Sequence, residues 1–265
     1  TSTMHWHGMH VAPEDDGGPH TPILADSTWS PDFPVMDEAT TFWYHPHLHH
    51  KTAEQVYFGA AGMIIVRDDK AVNEFLPRTY GVDEFPLIIQ DKSFDADNSL
   101  IFTSLADTMM VNGTLGGYLE VPAQMVRFHI LHASNQRVYN LGLPPQIDAW
   151  QIGSDGGYLE NPLPLNRIQM TPGERVEIIV DFGGNIPQTF RMVAFNSELG
   201  DGLAGGPKGP KGRPNNGLDS LDFAELIMEC ELRLNLETNC IEVENIRTVK
   251  DTVEYASQIL KSKAA

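Results

Sequence analysis

Basic residues are scarce in this sequence: 18 Lys and Arg stand against 36 Asp and Glu in 265 residues, a formal net charge of −18. A surface that acidic repels phosphate backbones, which argues against nucleic acid as a partner; it serves solubility and suits cationic ligands or metal ions. Long apolar runs are missing too. Nothing approaches the roughly eighteen consecutive apolar residues that a membrane span needs, so none is expected. Cysteine is nearly absent. Cys230 and Cys240 both lie near the C-terminal end, away from any histidine and outside any C-x-x-C pair. They leave open a disulfide in an oxidising compartment or two free thiols. The methionines are scattered, no signal-like segment opens the chain, and Thr1 leads almost at once into a histidine cluster. The sequence therefore reads as cut at its front. With 41% hydrophobic residues it has the composition of a globular protein, long enough for one large domain or two ordinary ones.

Histidine, by contrast, is concentrated. Eight of the ten fall in residues 1–78, where even spacing would place about three. TMHWHGMH carries His5, His7 and His10, and FWYHPHLHH carries His45, His47, His49 and His50. In a strand, side chains at i and i+2 point the same way, roughly 6.6 Å apart. Each H-x-H thus offers two imidazoles to one face, and two such strands side by side offer four. That separation is wide for one ion but suits neighbouring ions sharing a pocket. Imidazole favours Cu, Zn, Ni and Fe, and Cu(II) leads the divalent series in affinity.

Around these clusters, short strand-like runs alternate with Pro, Gly and Asp turns. MHWHG, TTFWYHPH and AGMIIVRD are followed by FPLIIQD, MMVNG, QMVRFHILHA, DAWQIG, NRIQM, RVEIIVDF and FRMVAF. The pattern predicts an all-β protein of sandwich or barrel type. Val126, Phe128 and Ile130 alternate onto one face, the mark of a half-buried strand. His129 and His132, singly placed, read as ordinary strand histidines. Thr52 to Gln55 reads as a capping box opening a short helix that Gly59 ends. Residues 200–217 hold seven Gly and three Pro and read as a flexible linker. Beyond it, LDFAELIMECELRLNLE fits a strand or a helix. Val249, Val253, Ala256 and Leu260 fall at the spacing of an amphipathic helix.

The run HWHGMHVAPEDDGGPHTPI, then TWSPDF and TFWYHPHLHHKTAEQVYFGAAGMIIV, resembles the first domain of the multicopper oxidases, the family of laccases, copper-efflux oxidases and bilirubin oxidases. VNGTLGGYLEVPAQMVRFHILHASNQRVYNLGL and SDGGYLENPLPLNRIQMTPGERVEIIVDF resemble that family's second, copper-free domain. The likeness covers about residues 1–197 and implies cupredoxin-like Greek-key β-sandwich or barrel domains. It divides the chain into a partial first domain at 1–78, a second domain at 79–197, a Gly/Pro linker at 198–219, and a divergent, helical or mixed tail at 220–265. By the same resemblance His5 would ligate a type 2 copper, and His7, His45 and His47 a type 3 pair. These ions form part of a trinuclear cluster that reduces O₂ to water with electrons from a phenol, an aromatic amine or a metal ion. Asp16, in DDGGP, matches the family's acidic residue that helps deliver protons, though Asp before Gly also serves simply to cap a turn. Trp6 and Trp43 would pack around the ligands, while His10, His20, His49 and His50 match no ligand position. The family's setting is periplasmic or extracellular.

Two family motifs, H-P-x-H-x-H and H-C-H-x-x-x-H, have no counterpart in the sequence. They carry the remaining cluster ligands and the type 1 copper that takes electrons from substrate. The chain therefore reads as a fragment, inactive alone, whose copper sites need a third cupredoxin domain or another chain. Two other readings stand beside this one. A non-catalytic copper-binding cupredoxin module would use the same histidines. A cupin-like protein would hold one metal through His47, His49 and Glu54, spaced H-x-H-x-x-x-x-E, completed by His132.

Overall fold

A computed structural model describes residues 1–68, 75–184, 189–210 and 226–231, the last of these as backbone. Apart from one short helix and one 3-10 turn at Asn196–Glu198, every regular element in it is a strand, as the alternation of apolar runs and turns predicts. β1 (His5–His7), β2 (Thr40–His45) and β3 (Gly62–Val66) form a three-stranded antiparallel sheet in that order. α1 (Thr52–Tyr57) lies between β2 and β3 in the chain.

The rest of the chain builds two larger sheets. One contains β4 (Glu84–Lys92), β5 (Thr108–Val111), β7 (Met125–His132), β9 (Asp148–Ser154), β10 (Gly157–Pro164) and β12 (Arg175–Asp181), in the order β10-β9-β12-β7-β4-β5. The other contains β6 (Tyr118–Pro122), β8 (Tyr139–Gly142), β11 (Ile168–Met170), β13 (Thr189–Ala194) and β14 (Leu226–Glu231), in the order β11-β8-β13-β14-β6. Val126, Phe128, Ile130, Ile178 and Val180 from the first share one core with Tyr139, Leu141, Met170, Phe190 and Met192 from the second. Phe128 and Ile130 are wholly inaccessible. Truncating a side chain like Phe128 to Ala costs about 3–5 kcal/mol.

β7 differs from the half-buried strand expected of its sequence, because all residues from Val126 to His132 are buried. Its second face, with Arg127, His129 and Leu131, is covered by β2: Thr41 Oγ1 reaches both His129 Nδ1, at 2.6 Å, and Glu177 Oε1, at 2.8 Å. Thr40 Oγ1 adds a bond to the Ser154 carbonyl at 3.0 Å. The polar alternation that looks like a solvent face is a buried ionic layer against the histidine-bearing sheet.

The helix stands where it is expected, but without the capping box. Lys51 is the N-cap and has no side-chain capping bond. Thr52 Oγ1 instead donates back to the Leu48 carbonyl at 3.2 Å, and Gln55 is drawn to the N-terminal residues, donating to the Thr1 carbonyl at 3.1 Å. Gly59 ends the helix as expected, at φ 101°. The Gly/Pro run also departs from a free linker in its first half. Ala204, Gly205 and Gly206 are buried; the Val138 amide donates to the Ala204 carbonyl at 2.9 Å and Asn196 Nδ2 to the Gly205 carbonyl at 3.3 Å. Having no side chain, Gly205 lets Arg137 pack directly on its backbone.

Leu226–Glu231 settles the strand-or-helix alternative as a strand, antiparallel to β13 and parallel to β6. The expected helix around 249–260, Cys240, the Cys230 side chain, residues 211–219 of the linker and the remainder of 220–265 lie outside the described residues.

Candidate metal centre

The three-stranded sheet brings the two histidine motifs together by its register. His5 pairs with His45, Trp6 with Tyr44 and His7 with Trp43. Alternation puts Trp6 on the opposite face from His5 and His7. There it packs against Trp29 and Phe33, with centroids 6.2 and 5.7 Å away. Trp43 lies with the histidines, its ring centroid 4.2 Å from that of His45 and 5.0 Å from that of His7.

His5, His7 and His45 each offer a ring nitrogen to one cluster whose atoms lie within 4.8 Å of one another. His47 arrives differently. β2 ends at His45, and Pro46 turns the chain out of the strand, so the second H-x-H does not present one strand face. The His47 amide is held by Thr3 Oγ1 at 2.5 Å, and its ring reaches 5.2 Å from that of His5. All four expected ligand histidines thus converge, three of them tightly.

Hydrogen bonds fix which nitrogens face the cluster. His45 Nδ1 donates to the Pro46 carbonyl at 2.7 Å, which leaves its Nε2 as a lone-pair donor. That Nε2 stands 3.1 Å from His7 Nδ1. His5 Nδ1 faces two acceptors, the Asp16 carbonyl at 3.0 Å and Asp16 Oδ1 at 3.1 Å, so it carries the proton and its Nε2 is free. The DDGGP turn sits this close because Gly17 has no side chain. At φ 64°, a Cβ there would lie 1.7 Å from the Met4 carbonyl oxygen. Trp6 Nε1 anchors the same turn at the Asp15 carbonyl, 3.0 Å away.

Electrostatics keep two of these rings neutral. Burial, then the charge of Arg175 and the neighbouring His5 and His47, lowers the His7 pKa to about 4. Burial also dominates for His45; it outweighs the opposing bond to the Pro46 carbonyl and, with smaller contributions from the neighbouring histidines, lowers the pKa to about 4. A metal ligand must be unprotonated, so both rings meet that condition at neutral pH.

The remaining histidines are placed elsewhere. His10 pairs with Asp37 at 2.5 Å on an exposed side chain. His49 and His50 lie against each other at the surface, with centroids 3.9 Å apart. The single-metal set of His47, His49, Glu54 and His132 is not assembled. Glu54 pairs with Lys51 at 2.6 Å on the surface, whereas His132 is buried in β7 against Tyr139. His129, expected to be an ordinary strand histidine, is bound between Glu84 and Glu177. Arg175 was not among the residues singled out by their spacing. The available signal was a basic residue at the start of the strand-like run RVEIIVDF, which becomes meaningful only when β12 is placed under β2.

A β-sandwich carrying a partly buried histidine cluster on an adjoining small sheet is a cupredoxin-like arrangement. Residues 1–71 match the sequence profile of the multicopper oxidases. The chain is 39% identical over 171 residues to the cell division protein FtsP of Salmonella typhimurium, covering 62% of this chain and 36% of that protein. It is 37% identical over 187 residues to the multicopper oxidase mco of Staphylococcus aureus, covering 68% and 41% respectively. Among solved structures, the McoA multicopper oxidase of the hyperthermophile Aquifex aeolicus superposes with a TM-score of 0.72 at 36% identity, over 87% of this chain and 50% of that one. The laccase-like multicopper oxidase CueO of Ochrobactrum sp. gives 0.72 at 31% identity, over 88% and 50%. The chain belongs to the multicopper oxidase family, and it spans half or less of the length of these relatives.

Proposed function

We propose that the chain supplies His5, His7, His45 and His47 to a trinuclear copper cluster of an oxygen-reducing multicopper oxidase. The observation that carries this reading is the 3.1 Å approach of His7 Nδ1 to His45 Nε2 beside His5. Two ring nitrogens this close, on rings kept neutral by burial, would both be available to hold one ion. His5 Nε2 would serve the type 2 position, and His47 the second ion of the type 3 pair.

When bound, the copper ions supply four-electron reduction of O₂ to water. The chain's own residues prepare the place for it. Asp16 holds His5 in one tautomer through its carboxylate and its carbonyl, and outer partners of this kind orient ligands and raise their basicity. Its carboxylate is partly exposed, with 30% of the side chain accessible, and so can also exchange protons with water at the edge of the centre. Trp43 closes the apolar side of the site against His7 and His45 and keeps water from that flank. The domain division at about 78 and the linker after 197 belong to this proposal, as do the four further ligands and the electron-entry copper, which a third cupredoxin domain or a partner chain would provide. The reducing substrate would be a phenol, an aromatic amine or a metal ion, and the setting periplasmic or extracellular. No helix among the described residues is long and apolar enough to cross a membrane.

Copper titration followed by electron paramagnetic resonance tests this. Cu(II) should bind the 265-residue chain with a multi-nitrogen signal that His7→Ala and His45→Ala remove, without the blue colour of a type 1 centre or oxidation of phenols. A signal unchanged in both variants would rule the centre out. The FtsP relative, named for cell division, supports a second reading, a non-catalytic module with the same histidines. Reconstitution of the longer protein distinguishes them: O₂ uptake with a phenol supports the oxidase, and copper binding without turnover supports the module.

A further inference from the structure

We propose that Arg175 is a positioning residue for the histidine centre, tying the six-stranded sheet to the two strands that carry His7 and His45. Arg175 opens β12, and its side chain is 4% accessible. Its guanidinium points out of its own sheet into the seam beneath β2. Nε donates to the Thr41 carbonyl at 3.0 Å, Nη1 to the Gly173 carbonyl at 2.9 Å, and Nη2 to the Asp155 carbonyl at 3.1 Å. Nη1 also lies 3.1 Å from Asp155 Oδ1, on a side chain that is half exposed. Three of these contacts therefore end on main-chain oxygens, so the group fixes backbone positions as well as balancing a charge.

The backbone it fixes surrounds the centre. Thr41 is in β2, the strand that ends in His45. Gly8 directly follows His7 and stands at φ 90°, and a Cβ there would fall 2.8 Å from Arg175 Nη2. β1 thus rests its turn on the guanidinium. Gly173, the third point held, lies under the rings themselves: a Cβ there would be 3.6 Å from Trp43 Cζ2 and 3.8 Å from His7 Cε1. The Gly173 amide in turn donates to the His132 carbonyl at 2.8 Å, which continues the link into β7. A planar fork with five N–H donors can hold three separate carbonyls, whereas an ammonium on a flexible stem cannot reproduce that geometry.

The inference rests on the copper reading only for its consequence, so the experiment has one arm without metal. In the metal-free chain, Arg175→Gln and Arg175→Lys should each speed amide hydrogen exchange at residues 5–8 and 40–45 by about tenfold to a hundredfold, the loss expected for bonds to a charged group. Amides of β4 and of the far end of β7 should keep wild-type protection. Asp155→Ala, which removes the carboxylate that accepts from the Arg175 amide at 2.6 Å and lies 3.1 Å from Nη1 but keeps the guanidinium and its three carbonyl bonds, should raise exchange at the same residues several-fold. It keeps the test open if the Arg175 variants fail to fold. In the copper arm, Lys should weaken Cu(II) binding as much as Gln does. Wild-type exchange in 5–8 and 40–45 in all three variants overturns the inference, as does full recovery by Lys in both arms, which would make the charge alone responsible. Failure of the wild-type chain to bind Cu(II) would sink the copper reading, while the exchange arm still decides the role of Arg175.

Discussion

His7 Nδ1 and His45 Nε2 face each other across 3.1 Å although 38 residues separate them in the chain. Antiparallel pairing of β1 with β2 brings their strands together, burial keeps both rings neutral, and the Pro46 carbonyl turns the lone pair of His45 inward. His7→Ala and His45→Ala should therefore each weaken Cu(II) binding by at least the ~10–100-fold seen when a mere outer partner is lost. Both variants should fold, because removing a half-exposed or strand-end ring leaves the main core intact. Competition against a chelator of known affinity measures it, and a change below threefold in both would contradict the shared-ion geometry.

Asp16→Asn separates a charge effect from a turn effect. Asn keeps the turn chemistry and the Asp16 carbonyl bond to His5 Nδ1 remains, so folding should be unchanged. Loss of the carboxylate at 3.1 Å should lower copper affinity toward the small end of the ~10–100-fold range for outer partners. In the reconstituted longer protein it should slow O₂ reduction and leave reduction of the electron-entry copper intact. Wild-type O₂ turnover would leave Asp16 as a turn residue only.

Much of this was legible in the sequence. Each segment expected as a strand in 1–197 contains one, because period-two alternation and turn residues are local signals. The convergence of the histidines was legible from i, i+2 spacing, except that Pro46 cannot continue the strand and His47 depends on Thr3, a contact of distant origin. β6, β8 and β10 were not singled out as strands; YLEVP, YNLG and GYLENPLP are short or rich in polar residues and Pro. The ionic layer was illegible for a different reason. Arg127, His129 and Glu177 each look like outward-facing strand residues, and only the register that pairs Glu177 with His129 and Glu84 with Arg127 shows that they neutralise one another.

Gly17→Ala should reproduce the Asp16 effect from the backbone side. A Cβ at Gly17 would meet the Met4 carbonyl oxygen at 1.7 Å, so the DDGGP turn must move away from β1. The displacement takes Asp16 from His5 and costs about 1–3 kcal/mol of stability, as crowding of a packed site does. Thermal unfolding and copper competition on the same sample measure both. Normal copper affinity together with lowered stability would show that the turn does not set the His5 ring.

The buried layer between β2 and the six-stranded sheet gives a pH dependence whose sign can be worked out. His129 Nε2 donates to Glu84 Oε1 at 2.8 Å, and its Nδ1 lies 3.3 Å from Glu177 Oε1. Arg127 Nη2 donates to Glu177 Oε2 at 2.5 Å and to the Tyr158 hydroxyl at 2.7 Å, and Arg67 pairs with the other oxygen of Glu84. For Glu177, burial alone would raise the pKa, but His129 and Arg127 outweigh it and bring it to about 2. Its contribution is therefore present above the ordinary glutamate value near 4.5 and is lost as pH falls toward 2. For His129, burial would lower the pKa, but the bonds to Glu177 and Glu84 prevail and raise it. Its contribution is full below the ordinary histidine value near 6.5 and is lost as pH rises through the elevated one. Stability should thus fall on both sides of a plateau. Glu177→Gln should cost about 3–5 kcal/mol at pH 6, since it removes one of the two buried carboxylates that balance the charges of Arg127 and His129. The difference between wild type and Glu177→Gln in urea unfolding should shrink steadily between pH 4.5 and 2, because wild type then loses what the variant never had. A difference that stays constant across that range would mean that Glu177 holds the sheets together by shape and not by charge.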